Sequence, residues 1–321
     1  MIPALVLSAG LGTRLDPVTR LRAKPAVPLG DKTLIEWTLG WLGREHLSDV
    51  VINLHHRPET IARVVGDGAH LGLRVRYSWE HPLLGSAGGP RRALPLLAAD
   101  CFLIVNGDTL CDAALTPMIA AHRASGAAVT MAVTPHPAPG KYNGVALDDR
   151  DVVQAFVPRG AANNDWHFVG VQIVQRSVFA GLPDNVPAET VAGLYRERVA
   201  ADPGSIRAWK TSASAVDIGT PRDYLAAALA HTSARAQDAS ERECVIWPDA
   251  VVDARATLSR CVVLTGTAVP ASFQAREAVL APAAIVRPGD RASVVDGVAV
   301  FPFQDDPQRQ GFSVGARHPV F

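Results

Sequence analysis

The stretch that most constrains this chain is LSAGLGTRLDPVTRLRAKPAVPLG, residues 7–30. It begins where a short apolar run, Ala4-Leu5-Val6-Leu7, gives way to glycine. An apolar run of that length bounded by glycine predicts a buried strand opening into a loop. Gly10 and Gly12 let backbone N–H groups approach an anion with no Cβ in the way. Arg14 and Lys24 follow, the lysine set in front of Pro25. A strand end, a glycine turn and two cations together describe a site for a polyphosphate. Two nucleotide loops are excluded by named residues. A dinucleotide fingerprint, G-x-G-x-x-G, needs glycine where Leu15 stands, and a Walker A loop needs glycine before Lys32-Thr33, where Asp31 stands.

At 321 residues the chain has room for one large domain and a small one. Its 31 basic and 31 acidic residues cancel, which gives bulk charge no role in binding nucleic acid or a membrane. The four cysteines, Cys101, Cys111, Cys244 and Cys261, lack C-x-x-C spacing and read as buried free thiols. The N-terminal apolar run has no basic residues before it and is too short for a secretory leader. No apolar stretch reaches the length of a membrane span. The expectation is a soluble, cytoplasmic protein.

Down the chain, apolar spacing predicts a helix from Thr33 to Leu42, stopped at Gly43, and a strand over residues 50–54. A helix over 58–65, a strand over 73–77, a helix around 91–97 and a strand over 102–105 continue the alternation. Such alternation predicts a Rossmann-like α/β domain, a doubly wound, mostly parallel sheet. Ligands of these sheets sit beyond the carboxyl ends of the strands, where the glycine loop falls. His55-His56 suggests metal, but strand neighbours point to opposite faces, so a shared ion is disfavoured. An acid where a hydrophobic strand emerges, as at Asn106-Gly107-Asp108, needs a partner to offset its burial and reads as functional.

The full loop string, with Thr13-Arg14-Leu15, Pro17 and Lys24-Pro25, resembles the signature of the sugar-1-phosphate nucleotidylyltransferases, which make nucleotide sugars. The resemblance covers roughly residues 1–230. It implies that Ala9, Gly10, Gly12 and Thr13 cradle the triphosphate and that Arg14 and Lys24 are the catalytic cations. It makes Asp108 a metal ligand, with a distant partner, Asp217, in Asp217-Ile218-Gly219-Thr220-Pro221, similar to the family's D-x-G-T-P. Two carboxylates suit Mg²⁺, which leaves room for substrate phosphates. Thr220 before Pro221 also reads as the cap of a helix over 222–230. Gly85 and Ala87 join the nucleotide side, because residues 80–89 resemble a family stretch that contacts the base, and Gly107, beside Asp108, joins them. Glu80, in place of a base-reading Gln, tilts the base toward guanine, since a carboxylate accepts from both N1–H and the exocyclic amine. On the sugar side the resemblance implicates Gly144, Gly170, Arg159 and Glu189, the last with helix capping as its alternative.

The chain departs from the family at Phe156-Val157-Pro158-Arg159-Gly160, where the family shows F-x-E-K-P; Arg159 keeps a phosphate-binding charge but the acid is gone. Ala215 and Val216 stand where a Trp is frequent. Residues 232–243 read as a linker. Beyond it, Ile246, Val252, Leu258 and Leu264 recur every six positions, with Val245, Val251 and Val263 alongside. That period predicts a short left-handed β-helix-like extension over 244–300, with Pro270 and Arg276 breaking its register. In the family such extensions serve oligomerisation or regulation. The tail from 301 to 321 carries no pattern, so the expected domains are 1–231, 244–300 and a tail. The expected reaction joins an NTP and a sugar 1-phosphate, with GTP and mannose 1-phosphate first. UTP with N-acetylmuramate 1-phosphate or another hexose 1-phosphate, and a non-catalytic regulatory homologue, are the alternatives.

Overall fold

The computed structural model describes residues 2–162, 165–231 and 241–304. Ala4–Leu7 is a strand, β1, and Ala4, Leu5 and Val6 are all fully buried. Successive residues of a strand face opposite ways, so both faces of the sheet are covered. Three more strands follow the expected alternation: β2 (Asp49–Leu54), β3 (Arg74–Trp79) and β4 (Cys101–Asn106). β1 pairs in parallel with β2 and β4, and β2 with β3, giving the order β3-β2-β1-β4. The chain order reverses between β1 and β4, which makes the ends of those two strands the ligand crevice of a doubly wound sheet.

The helices between them are α1 (Leu34–Arg44), α2 (Pro58–Val65) and α3 (Gly85–Leu97). α3 begins well before the expected residue 91. Its Ala87, Ala93, Leu94 and Leu97 share a core with Leu5, Val51, Phe102 and Ile104.

After β4 and the helix α4 (Leu115–Ser125) the sheet changes character. It continues through β5 (Val129–Pro135), β6 (Gly144–Leu147), β7 (Val153–Val157), β8 (Trp166–Gln175) and β9 (Ile206–Lys210). β8 runs antiparallel to β4, β5 and β6, β6 and β7 form an antiparallel hairpin, and β9 is parallel to β5. The expected "mostly parallel" sheet is therefore mixed: parallel through β1–β4, largely antiparallel beyond. The reason is local. A five-residue connection from β6 to β7 can make only a hairpin, because a parallel return needs a crossover of a dozen residues or more. A separate antiparallel ribbon joins Thr109–Cys111 to Ala215–Asp217.

The chain divides into two units that do not follow its order. One holds the residues up to Leu11 with Leu34–Asp217; the other holds Gly12–Thr33 with the residues from Ile218 onward. This division splits the signature loop after Leu11. In the second unit Gly12–Thr33 runs through three short 3-10 turns, Thr13–Leu15, Val18–Arg20 and Lys24–Ala26, into the hairpin Pro28–Leu29 with Lys32–Thr33. The Tyr224 hydroxyl, on the helix Pro221–His231, donates to the Pro28 carbonyl at 2.6 Å and accepts from Trp247 Nε1 at 2.9 Å.

The C-terminal strands stack in parallel at a spacing of seventeen residues: Val245 on Val262 on Val279, Val251 on Ala268, and Leu258 on Ala275. Cys244, Cys261 and Ala278, then Val263 and Leu280, form their core, with Ile246 and Val252 partly buried against it. Val251 is 67% exposed. Arg276 does not break the register; it pairs with Ser259 and carries the stack into a further turn. An antiparallel pair, Val298–Pro302 with Ser293–Val295, ends the stack on Ala278–Pro282. The strand through Phe301 means that the expected tail begins later than 301. Residues 232–240 of the expected linker and 305–321 of the tail lie outside the described residues. No helix among the described residues is long and apolar enough to cross a membrane.

Candidate functional site

At the carboxyl ends of β1, β2 and β3 a chain of buried groups fixes the loops. The Ser8 N–H donates to Asn53 Oδ1 at 2.6 Å, and Asn53 Nδ2 donates to Glu80 Oε1 at 2.7 Å. Glu80 Oε2 accepts the Leu84 N–H at 2.8 Å, just before α3. Glu80 is 4% exposed. A carboxylate buried this far, with both oxygens bonded within the fold, braces loops rather than reading a base edge, and the Glu80 expectation is corrected on that ground. Ala87 is corrected likewise: it is fully buried and its N–H donates to the Ala188 carbonyl at 2.8 Å. His55 is absorbed here too, its Nδ1 3.0 Å from the Glu80 carbonyl.

β1 and β4 meet closely at the switch point. The Gly107 N–H donates to the Leu7 carbonyl at 2.9 Å. A Cβ on Gly107 would stand 2.6 Å from Ser8 Oγ and 2.7 Å from the Leu7 oxygen, so only glycine fits. Ser8 Oγ is itself buried with no hydrogen-bond partner among the described residues. Ala9 is 4% exposed, while Gly10 reaches the surface.

The two signature acids come together in this same unit. Asp217 lies directly opposite Thr109 in the antiparallel ribbon, and Asp108 is the next residue along. Opposed Cα atoms are at most about 5.5 Å apart and one peptide adds about 3.8 Å, so the two Cα atoms lie within roughly 9 Å. Thr109 Oγ1 is 3.4 Å from Asp108 Oδ1. Among the described residues no group of three or more His, Cys, Asp or Glu side chains converges on one point. Asp108 and Asp217 are oxygen donors of the kind that suits a hard divalent cation, and among the described residues no third such side chain joins them.

Near the acids lies a residue that the sequence reading missed. Burial pushes the pKa of His167, on β8, below its ordinary value, while its hydrogen bond to the Asn143 carbonyl and the charge of Asp217 act the other way. The His167 ring lies 4.9 Å from that of Tyr142 and 5.2 Å from that of His136. Asn143 gathers this corner: its carbonyl is 3.3 Å from His167 Nδ1 and its Oδ1 accepts the Arg159 N–H at 3.1 Å. Gly144 is buried at the start of β6, Gly170 packs against Asn106, and the Arg159 side chain is exposed. The only sequence signal for His167 was its place three residues before Gly170.

Gly85 and Glu189 meet at the start of α3. Glu189 Oε2 accepts from Ser86 Oγ at 2.5 Å and the Ser86 N–H at 3.3 Å, while the Ala188 carbonyl accepts from both Ala87 and Gly88. Glu189 therefore caps a helix, though α3 rather than its own. Thr220 is a cap as expected: its Oγ1 accepts the Asp223 N–H, and Asp223 Oδ2 accepts from the Thr220 hydroxyl and N–H.

In the second unit, Gly12 has φ +62°, and a Cβ there would stand 2.8 Å from Thr19 Cγ2 and 3.3 Å from Lys24 Cβ. Thr19 Oγ1 donates to the Gly12 carbonyl at 3.2 Å. Lys24 is 6% exposed, whereas Thr13 and Arg14 are exposed.

Residues 3–234 match the nucleotidyl transferase family, and the chain belongs to it. Within that family it is a sugar-1-phosphate nucleotidylyltransferase, as its relatives indicate. It is 29% identical over 303 residues to the probable mannose-1-phosphate guanylyltransferase 1 of Oryza sativa subsp. japonica, a match covering 83% of this chain and 82% of the rice protein. It is 27% identical to the mannose-1-phosphate guanylyltransferase of Mycobacterium tuberculosis, over 70% of this chain and 63% of that one. The UTP–glucose-1-phosphate uridylyltransferase of Synechocystis is 28% identical, over 69% of this chain and 61% of that one. Among solved structures, HddC from Yersinia pseudotuberculosis complexed with GMP-PN has the same fold, with a TM-score of 0.62 at 22% identity over 71% of this chain and 98% of its own.

Proposed function

We propose that the chain joins GTP and mannose 1-phosphate, or a closely related sugar 1-phosphate, into a GDP-sugar. A sugar-phosphate oxygen attacks the α-phosphorus, the bond from that phosphorus to the bridging oxygen breaks, and pyrophosphate leaves. The attacking group is already an anion, so the protein needs no nucleophile of its own; it must align two anions and offset their repulsion. The observation that carries this reading is the register bringing Asp108 beside Asp217 in the unit that holds the β1–β4 switch point. The donor set suits Mg²⁺, which when bound would neutralise phosphate charge. Ser8 Oγ, without a hydrogen-bond partner among the described residues, and the Gly10 backbone are donors for the triphosphate, and the resemblance of the signature loop makes Arg14 and Lys24 the cations of the reaction. His167, neutral at pH 7, and the Gly144 and Gly170 backbones face the sugar. Guanine rests on the guanylyltransferase relatives, since Glu80 is occupied within the fold.

Uridylyl transfer is the second reading, favoured by the Synechocystis relative. Pyrophosphate release with Mg²⁺ across a panel of NTPs and sugar 1-phosphates separates the two, and binding without release for every pair would point to a regulatory homologue. Within the active pair, Lys24→Ala is expected to lose about 3 kcal/mol of transition-state stabilisation, roughly a hundredfold in rate. Near-normal turnover of a folded Lys24→Ala would reject that role. Assembly through the C-terminal strands belongs to the same proposal, because Val251, Val294 and Val295 are exposed there; light scattering of the intact chain tests it.

A further inference from the structure

Arg20 sits inside the signature loop and is 7% exposed. Its guanidinium has five N–H donors, and every one is used. Nε donates to Asp16 Oδ1 at 2.8 Å, and Nη2 donates to Asp16 Oδ2 and, at 2.8 Å, to Asp290 Oδ1. Nη1 donates to Asp290 Oδ2 at 2.5 Å and to the Ile285 carbonyl at 3.0 Å. The plane lies 5.3 Å from the ring centre of Phe301. One arginine thus holds two carboxylates, each in a two-pronged fork, one from the loop and one from a segment 270 residues away. Asp290 is fixed in turn, its Oδ2 accepting the Arg287 N–H at 2.7 Å. The loop's next arginine, Arg22, lies 4.8 Å from the Trp247 ring centre and 3.3 Å from Thr265 Oγ1, so it too rests on the C-terminal segment.

Asp16 closes the turn that carries Arg14: its N–H donates to the Thr13 carbonyl at 3.2 Å, and the Leu15 N–H donates to Gly12 at 2.9 Å. Holding the Asp16 carboxylate therefore holds the backbone of the Arg14 turn. We propose that Asp290 is a positioning residue, acting through Arg20 and Asp16 to keep the Gly12–Lys24 loop in the shape that receives the nucleotide triphosphate. This makes the C-terminal segment a wall of the loop, beyond any part in assembly. A pair serving stability alone has no need to aim all five donors, or to anchor beside the turn bearing a catalytic cation.

The inference rests on the proposed reaction, so its test reads both the loop and the activity. In the intact 321-residue chain, Asp290→Asn keeps the side-chain shape and removes the charge. Hydrogen–deuterium exchange of peptides covering 12–24 should speed up in this variant. With the NTP and sugar phosphate that the wild type turns over, kcat/KM for the NTP should fall about tenfold or more, as small misplacements from a distance do. KM for the sugar phosphate should stay within about twofold, because its binding groups are not touched. Arg20→Lys, which loses the fork, should match it, and Asp290→Glu should recover part of the loss; if Asp290→Asn does not fold, Asp290→Glu carries the same comparison. Unchanged exchange over 12–24, or an equal rise in KM for both substrates, would overturn the proposal. If the wild type turns over no pair, the enzymatic reading fails on its own, and the exchange result still decides whether Asp290 holds the loop.

Discussion

Glu80 separates what a residue type suggests from what its surroundings allow. As a sequence it is an acid in a glycine-rich stretch, and an acid can read guanine. In the fold its two oxygens meet two donors, Asn53 Nδ2 and the Leu84 N–H. Glutamine in its place would keep one acceptor and turn a donor toward the other, leaving a buried donor facing a donor. Such an unsatisfied group costs about 1–3 kcal/mol. Glu80→Gln is therefore expected to lower the unfolding free energy by that amount, read from urea melts, while leaving the ranking of NTPs unchanged. A change of preferred base with unchanged stability would restore the base-reading role. The catalytic part of Lys24 belongs to the proposed function, but its position after the glycine turn was legible from spacing alone. His167 was not, because the charge of Asp217, acting from a strand some fifty positions later, exists only in the fold.

Among the elements, α3 shows how a helix start is decided. The residue before it, Leu84, has no side chain able to cap, and two prolines lie inside the helix. Apolar spacing therefore finds the helix only from residue 91. What starts it earlier is Ala188-Glu189, far along the chain, whose carbonyl and carboxylate accept from Ser86, Ala87 and Gly88. Removing that carboxylate should cost about 1 kcal/mol, the usual value of a lost cap. Glu189→Ala is thus expected to lower stability by this amount and to speed exchange of the Ser86 amide; a loss of sugar-phosphate affinity at unchanged stability would return Glu189 to the sugar side. The parallel strands β1, β2 and β4 were legible because each is a short apolar run between breakers, whereas β3 alternates Arg74 and Arg76 with Val75 and Tyr77. β6–β8 and the seventeen-residue stacking were not, since strand direction and the residues above and below a coil are set by pairing rather than by local period.

At the scale of the whole molecule, the second unit is built from pieces at opposite ends of the chain, and charge is part of what joins them. Asp290 is the measurable handle. Its hydrogen bond to Arg20, and then that to the Arg287 N–H, hold its pKa down at about 2. In the unfolded chain it returns to about 3.9. A carboxylate depressed in the fold contributes stability that is fully present above its unfolded pKa and is lost as pH falls through the folded one. The window therefore runs from about pH 4 down to about pH 2. The carboxylates of Asp148, Asp253 and Glu277 are also held low and will weaken the fold in acid, but they are common to wild type and Asp290→Asn and drop out of the difference. Thermal midpoints of the two proteins taken from pH 6 to pH 2 should lie apart at the upper end and converge through that window. Parallel curves would mean that the Asp290 charge does not join the signature loop to the C-terminal segment, and that the loop is held by packing on Phe301 and Trp247 instead.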